Sequence, residues 1–159
     1  MNKAAIVKKI IARLDKDLEL YAKAARAAHA EATHEQSKAE NKYDTRGLEA
    51  SYLARGQSRH AAEAAQARQE FEKMEIKNFT SKNGIDVGCY VEVESGGERA
   101  CYFVGPRAGG TEVTYDKKLV MVITLQSPLG VQLAGKRQGE DLRLEMGGAR
   151  DLYKIVRVG

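Results

Sequence analysis

Two carboxylates, Asp44 and Glu49, stand on either side of a turn that contains Gly47, within the stretch KAENKYDTRGLEASYLARGQ from Lys38 to Gln57. An Asp ahead of a helix can accept its first backbone N–H groups, and a Glu in a first turn is favoured by the helix dipole. What further chemistry the pair can do depends on what holds it. Other reactive groups are sparse. His29, His34 and His60 show no metal-ligand spacing with each other or with the cysteines. Cys89 and Cys101 fall on neighbouring predicted strands and read as two half-buried thiols of a reducing compartment rather than as a disulfide.

The elements that must position the acids are written in the apolar spacing. Toward the stretch, steps of four and three pick out Val7, Ile11, Leu14, Leu18, Tyr21, Ala25, Ala28 and Ala32; away from it they pick out Ala50, Leu53, Gln57, His60, Ala64, Ala67, Phe71 and Met74. Such a seam predicts two helices packed along one stripe. Folding the chain back at residue 46 sets Leu18 against Met74, Tyr21 against Phe71, Ala25 against Ala67, Ala28 against Ala64, and Ala39 against Leu53. Between Lys3 and Tyr43 there is no Gly and no Pro, so the first helix is expected to run about 40 residues, ~60 Å. The second is expected from Leu48 to Lys77, with Val7 and Ile11 packing near Phe79 to Ile85. Large apolar residues fill the far part of the seam and alanines fill the near part, so the hairpin should thin toward a tip at residues 43–49.

The pattern changes after Asn78-Phe-Thr-Ser-Lys-Asn-Gly84, which has turn chemistry. Val87 to Glu94 and Arg99 to Val104 alternate as a strand pair around Ser95-Gly96-Gly97, with Gly105 to Gly110 a loop. The most apolar run, Leu119 to Leu125, is the candidate central strand. Ser127 suits an N-cap and Pro128 a first helical position, giving a short helix over Leu129 to Ala134 closed by Gly135. Asp141 to Glu145 and Leu152 to Val158 supply two more strands. The expectation is an α+β chain with two domains: a coiled-coil hairpin over 1–78 and a small antiparallel β-sheet domain over 84–159.

Composition narrows the function classes. The 159 residues carry a net charge of +4, too mild a basic excess to imply nucleic-acid binding by charge alone. No apolar run approaches the ~18 residues of a membrane span. The first residues, MNKAAIVKKIIARLDKDLELYAK, continue into the heptads without a signal-type cleavage site, so a cytoplasmic protein is expected.

The second half, with its VGCYVEVES hairpin, YFVGP turn and SPLGVQLAGKRQGEDLRL run, resembles the C-terminal domain of the GreA/GreB transcript cleavage factors. That family pairs an FKBP-like C-terminal domain with an N-terminal coiled-coil hairpin. At the tip the likeness is to an acidic residue, two residues, and then E-N-A-x-Y. Here Asp44 is followed by Glu49-Ala50-Ser51-Tyr52, with five positions between the acids' numbers rather than three and no Asn after the Glu.

The resemblance implies a factor that binds bacterial RNA polymerase, inserts its tip into the secondary channel and stimulates cleavage of backtracked transcripts. It implies that Asp44 and Glu49 act as the catalytic, metal-holding acids, sharing Mg²⁺ with the polymerase rather than binding it tightly alone. Such a donor set suits Mg²⁺, which takes one or two carboxylates plus waters. It also implies polymerase contacts near Ser127, Pro128, Leu129 and Gly130, a monomeric state, and no nuclease activity of the chain itself. Lys38, Lys42, Arg46, Arg55 and Arg59 then meet the RNA 3′ end or polymerase acids, or form a solvated helix surface. The altered acid spacing equally suits a DksA-like or inhibitory channel regulator that binds without stimulating cleavage. A prolyl isomerase is the alternative from another class. It would need an aromatic-lined pocket from Phe79, Tyr90, Tyr102, Phe103, Tyr115 and Tyr153, and fold alone does not carry that activity.

Overall fold

A computed structural model describes residues 1–34, 40 and 45–159. In chain order it contains α1 (Lys3–Thr33), α2 (Arg46–Lys73), β1 (Tyr90–Ser95), β2 (Glu98–Val104), β3 (Glu112–Tyr115), β4 (Lys118–Ile123), α3 (Pro128–Leu133), β5 (Asp141–Met146) and β6 (Ala149–Val158). This is the expected α+β class: two long helices, then one six-stranded sheet with a short helix. The chain divides into two compact units, Met1–Arg13 together with Gln69–Gly159, and Leu14–Arg68. No helix among the described residues is long and apolar enough to cross a membrane.

The sheet unit is ordered β3-β4-β2-β1-β6-β5. Its pairs are antiparallel except β2 with β4, which run parallel with Cys101 opposite Val120 and Val104 opposite Ile123. The expected antiparallel sheet therefore contains one parallel joint. That joint exists because β3, a short strand absent from the sequence reading, turns back through Asp116 and Lys117 into β4. The Leu119–Leu125 run accordingly forms most of β4, one strand from the edge; the centre belongs to β2 and β1.

Alternation along β1 explains why the sheet carries two cores. Val91 and Val93 point into one, with Tyr102, Leu133, Leu144 and Ile155. On the other side the Phe71 ring lies 6.4 Å from the Phe103 ring. Gly105 leaves room for it: a Cβ there would sit 2.6 Å from Phe71 Cζ. Ile6 and Ile10, at the start of α1, are fully buried in the same unit. Asn2 starts that helix by accepting the Ala5 N–H at 3.0 Å.

The hairpin unit departs from the expected register. The Tyr21 ring faces His60 at 5.2 Å between centroids, not Phe71. That partner lies about three helical turns earlier in α2 than expected. Arg68 bonds Asp15 in the same register. The reason is where the helices end. α1 stops at Thr33 rather than near Tyr43, and α2 begins at Arg46, so Gly47 lies inside a helix and not in the turn. The fold-back point moves several residues toward the N-terminus. An alanine seam permits this, because one buried methyl fits opposite another at many registers. Leu53 and His60, placed on the seam by the spacing, are exposed; Ala54 is buried instead. The Ala39–Leu53 pairing falls partly on Ala39, outside the described residues.

Candidate functional site

Of the two acids, Asp44 lies outside the described residues and Glu49 sits in the first turn of α2. Glu49 is tied to Thr45 twice. Its backbone N–H donates to the Thr45 carbonyl at 2.9 Å, and the Thr45 hydroxyl donates to Glu49 Oε1 at 3.0 Å. Glu49 remains solvent-exposed. The turn is further fixed by Ser51, whose hydroxyl donates to the Gly47 carbonyl at 3.0 Å, and by Arg46 reaching Glu40 at 3.4 Å. The spacing reading missed Thr45. A hydroxyl residue four positions before a Glu, at a helix start, was the available signal.

Around Glu49 stand large apolar side chains that the fold does not bury. Leu48, Tyr52 and Leu53 are 55%, 60% and 55% exposed. The Arg55 guanidinium lies 5.8 Å from the centre of the Tyr52 ring, within reach of a cation–π contact. Further along the hairpin, an open groove of about 780 Å³ is lined by Ala25, His29 and Thr33 from α1 and by Ser51, Ala54 and Ser58 from α2.

The donor chemistry here is limited. Among the described residues no cluster of three His, Cys, Asp or Glu side chains could hold a metal ion. Glu49 offers one carboxylate, with one oxygen engaged by Thr45. A single oxygen donor fits Mg²⁺ as a supplementary ligand, since that ion keeps several waters and takes few protein carboxylates.

The Ser127–Gly130 segment, the expected polymerase contact, is a tightly built helix start. Ser127 Oγ donates to the Thr124 carbonyl at 2.7 Å and accepts the Gly130 N–H at 3.1 Å. Gly130 is buried, and a Cβ on it would stand 1.8 Å from the Thr124 carbonyl oxygen. Leu129 packs against the sheet core, leaving Pro128 and Val131 as the outward-facing apolar residues of α3. The motif's Ser and Gly are thus used in shaping the loop.

A charged network that spacing did not single out sits in the sheet. Glu92 is buried on β1, where alternation alone would have left it on an open face. Tyr90 Oη and Lys118 Nζ each donate to its Oε1 at 2.8 Å, with Arg99 at 3.7 Å and Arg157 at 4.0 Å. Burial works to raise the carboxyl pKa. Lys118, Tyr90 and Arg157 outweigh it and hold the group below its ordinary range. In return Glu92 holds the Lys118 ammonium above its usual value. Burial raises the Tyr90 phenol strongly.

The remaining candidates are structural. Cys89 and Cys101 are free thiols, both buried rather than half-buried, and burial pushes the Cys89 thiol up to about 11. Tyr90, Tyr102 and Phe103, three of the six aromatics a proline pocket would have required, are spent in the interior.

No protein-family model and no curated protein matches this chain. Among solved structures it is similar to GreA factor homolog 1 (Gfh1) of Thermus thermophilus, with 22% identity, 94% of both chains covered and a TM-score of 0.40. It is similar also to Gfh1 of Thermus aquaticus, with 26% identity, 95% of this chain and 94% of that chain covered, and a TM-score of 0.41.

Proposed function

We propose that the chain is a bacterial RNA polymerase-binding factor of the GreA/GreB kind, which presents its hairpin tip in the secondary channel and stimulates cleavage of backtracked transcripts. The observation that carries this reading is the exposed group at the start of α2. Glu49 stands there with Leu48, Tyr52 and Leu53, large side chains that the protein's own core does not use. Exposed apolar groups around a fixed carboxylate suit a surface completed by a partner. The SPLGVQLAGKRQGED run supplies independent sequence support.

In this reading the polymerase holds the reacting phosphodiester, and the chain has no nuclease site of its own. Asp44 and Glu49 add carboxylate oxygens to the polymerase's active centre. Asp44 and Glu49 would help to hold Mg²⁺ there, and that ion would supply charge neutralisation for the phosphodiester cleavage. Glu49 orients toward that centre while Leu48 and Tyr52 seat the tip, and the cations Arg46 and Arg55 face the RNA 3′ end. The segment Ser127, Pro128, Leu129 and Gly130 shapes the polymerase contact of the sheet unit, with the chain acting as a monomer in the cytoplasm.

The test is cleavage of stalled, backtracked elongation complexes with wild-type protein and with Glu49→Gln. Loss of a metal-holding carboxylate should lower the rate by about 100-fold or more, with polymerase affinity nearly unchanged and partial recovery at high Mg²⁺. Equal cleavage by both proteins would sink the metal role. The wider Asp44–Glu49 spacing favours a second reading, a channel-occupying regulator; binding without any cleavage by the wild type would select it.

A further inference from the structure

We infer that Thr45 is the positioning residue for Glu49, an inference that rests on the functional reading above and deepens it. Thr45 meets Glu49 at both ends: its carbonyl accepts the Glu49 N–H, and its hydroxyl donates to Oε1. The backbone bond belongs to the helix start and survives any side-chain change. The hydroxyl bond does something else. It occupies one lone pair of Oε1 and restricts the rotation of a three-torsion side chain that no packing confines, since Glu49 is exposed. Oε2 is left as the outward donor. Mg²⁺ favours few, well-placed oxygen ligands, so a carboxylate already held in one orientation loses less freedom when it engages. The four-residue step from Thr45 to Glu49 is one helical turn, which puts the hydroxyl within reach of the carboxylate.

Thr45→Val removes the hydroxyl while keeping the branched shape, and Thr45→Ser keeps the hydroxyl. Side-chain scalar couplings of Glu49, read by NMR on the free protein, should average toward free rotation in Thr45→Val and stay wild-type in Thr45→Ser. On stalled complexes at limiting Mg²⁺, Thr45→Val should slow cleavage by about 3- to 10-fold, the worth of one hydrogen bond. It should also raise the Mg²⁺ concentration needed for half-maximal rate, with unchanged polymerase affinity. Thr45→Ser should restore both readouts. Unchanged couplings in Thr45→Val, or unchanged cleavage in Thr45→Val alongside a crippled Glu49→Gln, would overturn the inference. Normal cleavage by Glu49→Gln would instead overturn the functional reading, whatever the couplings show.

Discussion

In the sheet unit, β1 is held by ladders to β2 and β6 on its two edges and by packed side chains on both faces, so a slip of one residue would move Val91 and Val93 out of their core. In the hairpin unit the buried stripe is Leu14 followed by Ala25, Ala28, Ala50, Ala54, Ala64 and Ala67, and each alanine buries little more than a methyl group. Many registers bury such methyls equally well. Polar contacts, Asp15 with Arg68 and Tyr21 with His60, sit at the margins of that stripe. One region is specified by shape, with tight points at Gly105 and Gly130 where an added methyl would meet packed atoms. The other is specified weakly by shape and leaves most of its large side chains, Leu20, Leu48, Tyr52 and Leu53 among them, to solvent.

The largest effect that would sharpen this contrast lies at Gly130. An added methyl would meet the Thr124 backbone, not a side chain able to move, and the Ser127 hydrogen bonds would have to open. Gly130→Ala should cost on the order of 4 kcal/mol, at the upper end for overpacking. Tyrosine near-UV signals followed through urea unfolding would measure it, since the chain has no Trp. A midpoint near wild type would show the helix start to be as forgiving as the hairpin.

Next in size is Glu92. Removing it in Glu92→Ala leaves the Tyr90 hydroxyl without its acceptor and gathers Lys118, Arg99 and Arg157 around no counter-charge. A loss of about 3 kcal/mol is expected, moderated because the three cations are half-exposed. Acid gives a second handle. Because the folded-state pKa of Glu92 is depressed, its contribution is present above the ordinary carboxylate range and is lost as pH falls below about 4. Wild-type protein should therefore lose its stability advantage over Glu92→Ala on acidification; a gap that stays constant to low pH would remove the carboxylate from the account.

How much of this was legible follows the same division. The turn at Gly96-Gly97, the Ser127 cap and the Pro128 helix start are local chemistry, readable from a few neighbouring residues. The parallel β2–β4 joint was not, because β3 is four residues with one buried side chain and offers almost no alternation. Glu92 was hidden because alternation reports two faces and not which of them is covered. In the hairpin, helix existence was plain from the composition, but register needed the positions of Thr33 and Arg46, and runs rich in strong helix formers do not announce their ends. Glu49 was singled out by residue type; its hold on Thr45 depended on where that helix begins.

The smallest effect has the opposite sign, and it turns the comparison into one substitution made in two places. Gly56 lies in the interior of α2, and a Cβ built there meets nothing within 4 Å. Glycine in a helix costs about 1 kcal/mol relative to alanine, because the unfolded chain has more backbone freedom to lose. Were Gly56 placed there to let the two backbones approach closely, a methyl would clash as it does at Gly130. The open space argues otherwise. Gly56→Ala should stabilise the hairpin unit by about 0.5–1 kcal/mol, seen as greater helical signal retained on heating and slower amide exchange across α2. A destabilised Gly56→Ala protein would mean that the helices approach more closely at Gly56 than this geometry allows, and that the hairpin too is specified by shape.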